Sequence, residues 1–484
     1  MIKIKKTGVK KDMKKIGATL AIASIAVSSI SSISAYAADT ATNGAYYTNT
    51  YRNLFVESGK TQAQVDEKIN KMFNQYFYGN DDQRIYYPVG TDMGYIKDIG
   101  NNDVRTEAMS YGMMIAVQLD KKDEFDRIWK WARTYMYHPD GQFKGYFAWQ
   151  CDTNGKILDN TPAPDGEEYF VMSLLFAANR WGNGSGIFNY KAEAQGIMDA
   201  MLHQADDGVG VNFFNSTNNQ IVFCPIPDVA TFTDPSYHLP AFYDLWALWA
   251  DKDNDRWATI AKTSREFFKK TVHPTTGLSP EYANFDGSPK EVSWISGRGN
   301  YSYDAWRTIA NSSVDYAWWG KDPWQQTFAN NLQNFFYSQG LSSYVDKYTV
   351  SGTKVGVDHS VGVVAMNAVG SLAATNSHAT EFVNELWNTY APTGTWRYFN
   401  GSLYLLGLLE CSGNFKIWKP QQVKPIPLAG DVNGDGKVNA IDLAVLKSHL
   451  LGNNVAINKD NANLNGDSAI NAIDLALLKK KILG

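Results

Sequence analysis

"NNDVRTEAMSYGMMIAV", residues 101–117, places two charged side chains, Arg105 and Glu107, at the mouth of a run that is otherwise apolar. From Ala108 to Val117 no face of a helical wheel carries a charge, so a helix here is enclosed by protein all round. The runs Tyr169 to Ala178 and Leu403 to Leu409 have the same character. Between such runs lie stripes of a different kind. Val65, Ile69, Met72, Phe73, Tyr76 and Phe77 recur at helical spacing, as do Phe125, Ile128, Trp129 and Ala132. Trp257, Ile260, Ala261, Phe267 and Phe268 form another stripe, and Phe328, Leu332, Phe335 and Phe336 a fourth, each with a polar opposite face. Half-wet helices alternating with wholly buried ones predict an all-α fold in two concentric layers, the outer ring wrapping the inner. Few segments read as strands.

The composition, 44% hydrophobic and 19% charged over 484 residues, is that of a globular protein with ample core. Lys3 to Lys15, an apolar stretch from Ile16 to Ile33 and then Ala35-Tyr36-Ala37 have the three-part build of a secretory signal peptide, residues 1–37. Its seven Lys and one Asp leave with it, moving the formal charge from −4 to −10 and disfavouring nucleic acid as partner. No later segment is apolar enough to span a bilayer, so the expected location is extracellular, with no membrane partner. Cys151, Cys224 and Cys411 are too few and too scattered for a disulfide framework or a zinc site.

A proline-spaced linker, residues 419–428, separates the large unit, 38–418, from a tail, 429–484, built on an internal duplication. "DVNGDGKVNAIDLAVLKSHLLG" and "NLNGDSAINAIDLALLKKKILG" begin at 431 and 463. In the first copy Asp431, Asn433, Asp435, Asn439 and Asp442 fall at positions 1, 3, 5, 9 and 12 of a calcium loop, with the Lys437 carbonyl at position 7 and Gly436 at the sharp turn. The second copy offers Asn463, Asn465, Asp467, Ala469, Asn471 and Asp474, but opens on Asn and turns on Ser468, which predicts a weaker site. An Asp/Asn-rich turn without metal is the plainer alternative for both. Two loop-helix halves without entering helices resemble a type I dockerin. The resemblance implies bound Ca²⁺, a cohesin module of a scaffoldin as partner, a place in a cellulosome, and plant cell-wall polysaccharide as the material acted on. Ala440-Ile441 and Ala472-Ile473, just ahead of the helices, would read the partner.

Hydrolysing a glycosidic bond without a metal needs a protonated acid for the leaving oxygen and a second carboxylate as base or nucleophile. Glu107, Asp165 in "PAPDGEEYFVMSLLFAA" and Asp304 in "GNYSYDAWRTIAN" sit at expected helix N-termini, where a barrel rim would gather them. Each has a structural alternative. Glu107 can offset a helix dipole, Asp165 can cap a helix in a capping box with Glu168, and Asp304 can cap its own.

The motifs "DVRTEAMSYGMMIAVQLDKKDEFDRIW", "GYFAWQC", "PAPDGEEYF", "DPSYHLPAFYDLWALWA", "YDAWRTIAN" and "LYLLGLLECSGNFKIW" together resemble glycoside hydrolase family 8 over Tyr46 to Trp418, in particular its branch of xylanases and reducing-end xylose-releasing exo-oligoxylanases. The resemblance implies an (α/α)6 barrel, no catalytic cofactor and inversion at the anomeric carbon. It assigns Glu107 as general acid, Asp304 as general base and Asp165 as the carboxylate holding the distorted sugar. Glu107 must then stay protonated near neutral pH, helped by burial and Asp165, while Arg105 opposes this unless another acid such as Asp103 engages it. Arg307, one turn from Asp304, is a support for the base. Trp149 and Tyr237 lie in matched motifs and are the expected sugar-stacking rings; Tyr95, Tyr146 and Trp294 are weaker candidates. Arg105 and His359 complete the expected substrate contacts. The exo-acting relatives carry a Leu-His-Pro kink that blocks the cleft, where this chain has Asp358-His359-Ser360. An unblocked cleft favours endo-β-1,4-xylanase action; exo action, cleavage of cellulose, mixed-linkage glucan or chitosan by the same carboxylates, and sugar binding without turnover are the alternatives.

Overall fold

A computed structural model describes residues 43–206, 208–420 and 428–484. The expected signal peptide and linker residues 421–427 lie outside the described residues. Twelve helices of nine residues or more build the large unit among the described residues. They are α1 (Gln62–Tyr78), α2 (Thr106–Gln118), α3 (Lys122–Tyr135), α4 (Pro164–Trp181), α5 (Tyr190–His203), α6 (Pro240–Trp249), α7 (Asn254–Thr271), α8 (Trp306–Trp319), α9 (Trp324–Ser338), α10 (Val361–Val369), α11 (Ala379–Asn388) and α12 (Arg397–Cys411).

They alternate as the apolar patterning dictates. In α2, α4, α8 and α12 nearly every position is buried, including charged residues of α4, α8 and α12. α1, α3 and α7 bury one stripe each, such as Phe125, Ile128, Trp129, Trp131 and Ala132 of α3. The even-numbered helices form the inner ring: α2 packs on α4, α6 on α8, α8 on α10, α10 on α12, and α12 returns to α2. Tyr169 of α4 meets Phe242 of α6 edge-to-face at 5.1 Å and closes the circle. Each odd-numbered helix lies against an inner neighbour, giving the (α/α)6 barrel. Burying each large side chain between the layers contributes ~1.5–3 kcal/mol, which is why a chain with three buried free cysteines needs no disulfide.

Two small sheets decorate one rim. β1 (Tyr86–Val89) and β2 (Met93–Ile96) form a hairpin, and β3 (Val104–Arg105), β4 (Gln150–Cys151) and β5 (Ile157–Asp159) an antiparallel trio. β3 runs straight into α2, so strand pairing there aims the first turn of an inner helix.

The tail has its own core of Val432, Leu446, Ala462 and Leu478, all fully buried. Its helices α13 (Ala440–Leu450) and α14 (Ala472–Leu483) each begin in a capping box, Asn439 with Asp442 and Asn471 with Asp474. Asn461 Nδ2 donates to the Asp431 carbonyl at 2.8 Å, tying the second copy to the start of the first. No helix among the described residues is long and apolar enough to cross a membrane.

Candidate active site

Strand pairing and one glycine bring the first two acids together. Arg105 pairs with Gln150 in register, and the Thr106 N–H donates to the Trp149 carbonyl at 3.0 Å, which sets Glu107 in the first turn of α2. In the first turn of α4, a Cβ on Gly166 would lie 2.5 Å from Thr106 Cβ. Glycine therefore lets the two helix starts touch, with Asp165 beside Glu107.

Arg307, in the first turn of α8 and 5% exposed, is the hub. Its Nη1 donates to Asp165 Oδ2 at 2.8 Å, to Glu107 Oε2 at 3.2 Å and to the Tyr111 hydroxyl at 2.5 Å. Its Nη2 donates to Ser236 Oγ at 2.9 Å and lies 2.9 Å from Asp304 Oδ1. The three expected acids thus converge on one guanidinium, with Glu107 and Asp304 on opposite nitrogens. Tyr398 donates to the other oxygen of Glu107 at 3.0 Å.

One cation among three acids leaves excess negative charge. Burial, joined by Asp165 and Asp304, pushes the Glu107 carboxyl up to about 8 against the pull of Arg307 and Arg105. Burial likewise raises Asp165, with Arg307 opposing. Arg105 is committed elsewhere: its guanidinium lies 3.0 Å from Asp103 and 3.2 Å from Asp98. Asp234, buried and near Asp304, is held well above the carboxylate range by its burial, while Oδ1 accepts from the Ser236 N–H at 2.7 Å.

Glu107 and Asp304 open into a cleft of about 510 Å³ that Arg105, Tyr303, Asp358, Ser360 and Trp396 also line. Tyr303 stands at φ 35°, a strained conformation for a residue with a Cβ, immediately before Asp304.

A model of glycosyl hydrolases family 8 matches residues 89–413. The chain belongs to that family. Among its relatives is the reducing-end xylose-releasing exo-oligoxylanase Rex8A of Paenibacillus barcinonensis, 46% identical over 378 residues, covering 78% of this chain and 98% of the relative. Endoglucanase 2 of Ruminiclostridium josui is 30% identical over 373 residues, 75% of each chain. A family 8 xylanase of Teredinibacter turnerae, solved as a catalytic mutant with xylohexaose, superposes with a TM-score of 0.76 at 44% identity, covering 78% of this chain and all of that one. The Dockerin type I model matches residues 429–483.

Several expectations need correction within this family 8 site. Asp165 is not an N-cap: Pro164 takes the first helical position after Ala163, and Asp165 lies inside the helix. Glu168 makes no capping box but accepts from the Tyr243 hydroxyl, and Glu167 accepts from the Phe147 N–H at 2.8 Å. Asp304 sits in the 3-10 turn Tyr303–Ala305 and does not cap α8. His359 turns away from the cleft. Its Nδ1 lies 2.7 Å from the Tyr344 carbonyl and its Nε2 3.2 Å from Glu385, so it braces the barrel wall where a substrate contact was expected.

The expected stacking rings divide. Trp149 is half-buried with the Arg105 guanidinium 5.2 Å from its centroid, and Tyr237 is 6% exposed with Arg307 5.9 Å from its ring. Tyr146 is core, stacked on Phe213 at 4.0 Å. Tyr95 stacks on Tyr87, and Trp294 is largely exposed. Sequence reading missed Tyr398, Tyr111 and Asp234, and saw Arg307 only as support for Asp304. The i,i+3 spacing revealed that one contact; the others cross the barrel and leave no local trace.

The dockerin loops were tested against calcium by their donors. Asp431 accepts from the Asp435 and Gly436 N–H groups at 3.0 Å each, and Gly436 holds φ 81°. Asp442 accepts from Asn433 and Asn439 N–H groups at 3.1 and 2.9 Å. Among the described residues no three His, Cys, Asp or Glu side chains gather into a metal cluster; each loop instead mixes carboxylates with Asn amides and a backbone carbonyl, the hard oxygen donors that calcium takes. In the second loop the Asn463 amide spends Nδ2 on the Asp467 carbonyl.

Proposed function

We propose that this chain is a secreted, cellulosomal family 8 hydrolase that cleaves internal β-1,4-xylosidic bonds of xylan with inversion. The observation that carries it is the convergence of Glu107, Asp165 and Asp304 on Arg307, with Glu107 and Asp304 lining an open cleft. Protonated Glu107 gives its proton to the leaving glycosidic oxygen as the C1–O bond breaks. Asp304 takes a proton from a water that bonds C1 from the opposite face. An inverting pair stands roughly 6.5–9.5 Å apart to admit that water, and a guanidinium wedged between the two acids holds such a gap open. Asp165 accepts a hydroxyl of the distorted sugar next to the bond.

Internal cleavage is favoured because Asp358 and Ser360 line the cleft where the exo-acting branch has Leu and Pro. Exo action is the second reading, supported by the 46% identity to an exo-oligoxylanase. Residues 38–418 act as the catalytic unit, 419–428 as linker and 429–484 as dockerin. In the dockerin, Asp431, Asn433, Asp435, Lys437, Asn439 and Asp442 would hold one Ca²⁺, and the second loop another, fixing the helix starts that dock a cohesin. Ile441 and Ile473, 57% and 56% exposed, present matching apolar contacts for it.

Glu107→Gln is expected to lower kcat/KM on xylan by roughly 10²–10⁴-fold with cohesin capture unchanged; retained hydrolysis sinks the assignment. NMR of products from xylohexaose reads bond position and configuration together. Xylose and xylopentaose as the only early products favour exo action, and retained configuration contradicts the mechanism.

A further inference from the structure

Trp396 is 69% exposed although it lines the same cleft as Glu107 and Asp304. A lone exposed indole is ordinary on a protein surface; one fixed in a concave polar cleft is not. This one is fixed from both sides. A Cβ on Gly100 would lie 2.4 Å from Trp396 Cζ3, so glycine lets the ring rest on the Gly100 backbone. That backbone is pinned by Asp98, which accepts from the Gly100 and Asn101 N–H groups at 3.0 and 3.2 Å and pairs with Arg105. Next to it in the chain, Arg397 is 2% exposed and anchors the backbone by donating to the carbonyls of Arg84 at 2.9 Å, Gly394 at 2.5 Å and Asp81.

The ring is therefore ordered before any ligand arrives, and binding to it loses little further side-chain freedom. It takes no part in the Arg307 hydrogen-bond network. Its open surface suits the C–H face of a pyranose, and xylopyranose, lacking the exocyclic CH₂OH, is flat enough to lie on it.

We infer that Trp396 is a stacking platform for a xylose unit away from the bond being cleaved, and so sets how long a chain must be to bind well. The inference rests on xylan being the substrate. The test is calorimetric affinity of the full chain for non-hydrolysable, thio-linked xylo-oligosaccharides from three to six units. Trp396→Ala is expected to weaken thio-xylohexaose by ~10-fold or more while thio-xylotriose changes by less than ~2-fold. Trp396→Tyr, which keeps a ring, recovers most of the loss, and thermal melts of both variants exclude a folding defect. Unchanged hexaose affinity, or an equal loss at every length, overturns the platform. No binding of any oligosaccharide by the unaltered chain overturns the xylan reading and this inference together, an outcome distinct from the other two.

Discussion

The barrel and the duplicated tail both crowd acidic side chains, and they relieve the repulsion by opposite means. In the barrel the counter-charge is covalent: Arg307 holds Glu107, Asp165 and Asp304, and nothing from solution is needed. In the tail, Asp431 and Asp442 face only backbone N–H groups, which orient the oxygens without neutralising them. The barrel's acids therefore have their counter-charge built in, whereas the proposed calcium loops of the tail would take theirs from a diffusible cation. On the proposed function, one chain so built keeps its chemistry running while calcium switches its attachment.

The largest expected effect exploits that separation. Stripping calcium from the full chain with EDTA should drop cohesin capture on a native gel to background, because the loops then carry uncompensated charge. Xylan hydrolysis in the same sample should hold. Capture that survives the chelator breaks the comparison, since the tail would then be self-sufficient as the barrel is.

The next is the mirror experiment. Arg307→Ala leaves the buried Asp165 and the half-buried Glu107 and Asp304 without their cation and should destabilise the barrel by up to ~3–5 kcal/mol in urea unfolding, with calcium-dependent cohesin capture intact. Arg307→Lys should recover only part, since a single ammonium cannot reach partners on both sides of a planar fork. Because Arg307 lowers the Glu107 pKa, activity left in the Ala variant should persist to higher pH than in the parent. A barrel as stable as the parent would mean the acids find other relief.

Smaller, and readable without mutation, is the alkaline limb. In the proposed mechanism Glu107 must be protonated to act, and its carboxyl is pushed up to about 8. The competent form is complete well below that pH and is lost above it, so kcat/KM should fall about tenfold per pH unit once pH passes 8. Cohesin capture in calcium should stay flat over the same range. A limb near pH 5 places the working acid elsewhere.

How much of this was legible in the sequence follows from how local each signal is. Alternation of stripes such as Phe125-Ile128-Trp129 with all-apolar runs such as Ala108–Val117 reports burial directly, so the two-layer barrel was readable. The dockerin was readable because its loop residues lie within a dozen positions of one another and the pattern repeats. The partnership of Glu107, Asp165 and Asp304 came from motif resemblance, since 197 positions separate the first from the last. The hub was not readable. Arg307 reaches Glu107, Tyr111 and Ser236 across the barrel axis, and only the i,i+3 contact to Asp304 has a sequence rhythm. The capping-box reading of Asp165 failed for a related reason: Pro164, suited to the first helical position, moved the helix start two residues back and freed the carboxylate for Arg307.

The finest test lies inside the tail. In the first loop Asp431 brings two carboxylate oxygens to the turn at Gly436; in the second, Asn463 brings one amide oxygen, bonded at 2.9 Å to the Gly466 N–H, and turns its Nδ2 onto the Asp467 carbonyl. Asn463→Asp restores a charge and removes that donor at once. Calorimetry should then show the weaker of two calcium affinities tighten several-fold while the stronger is unmoved, because affinity in such loops follows the number of charged ligands. If the two sites are already equal in the parent, charge count does not rank them, and the missing carboxylate of the second loop is made up by its other donors.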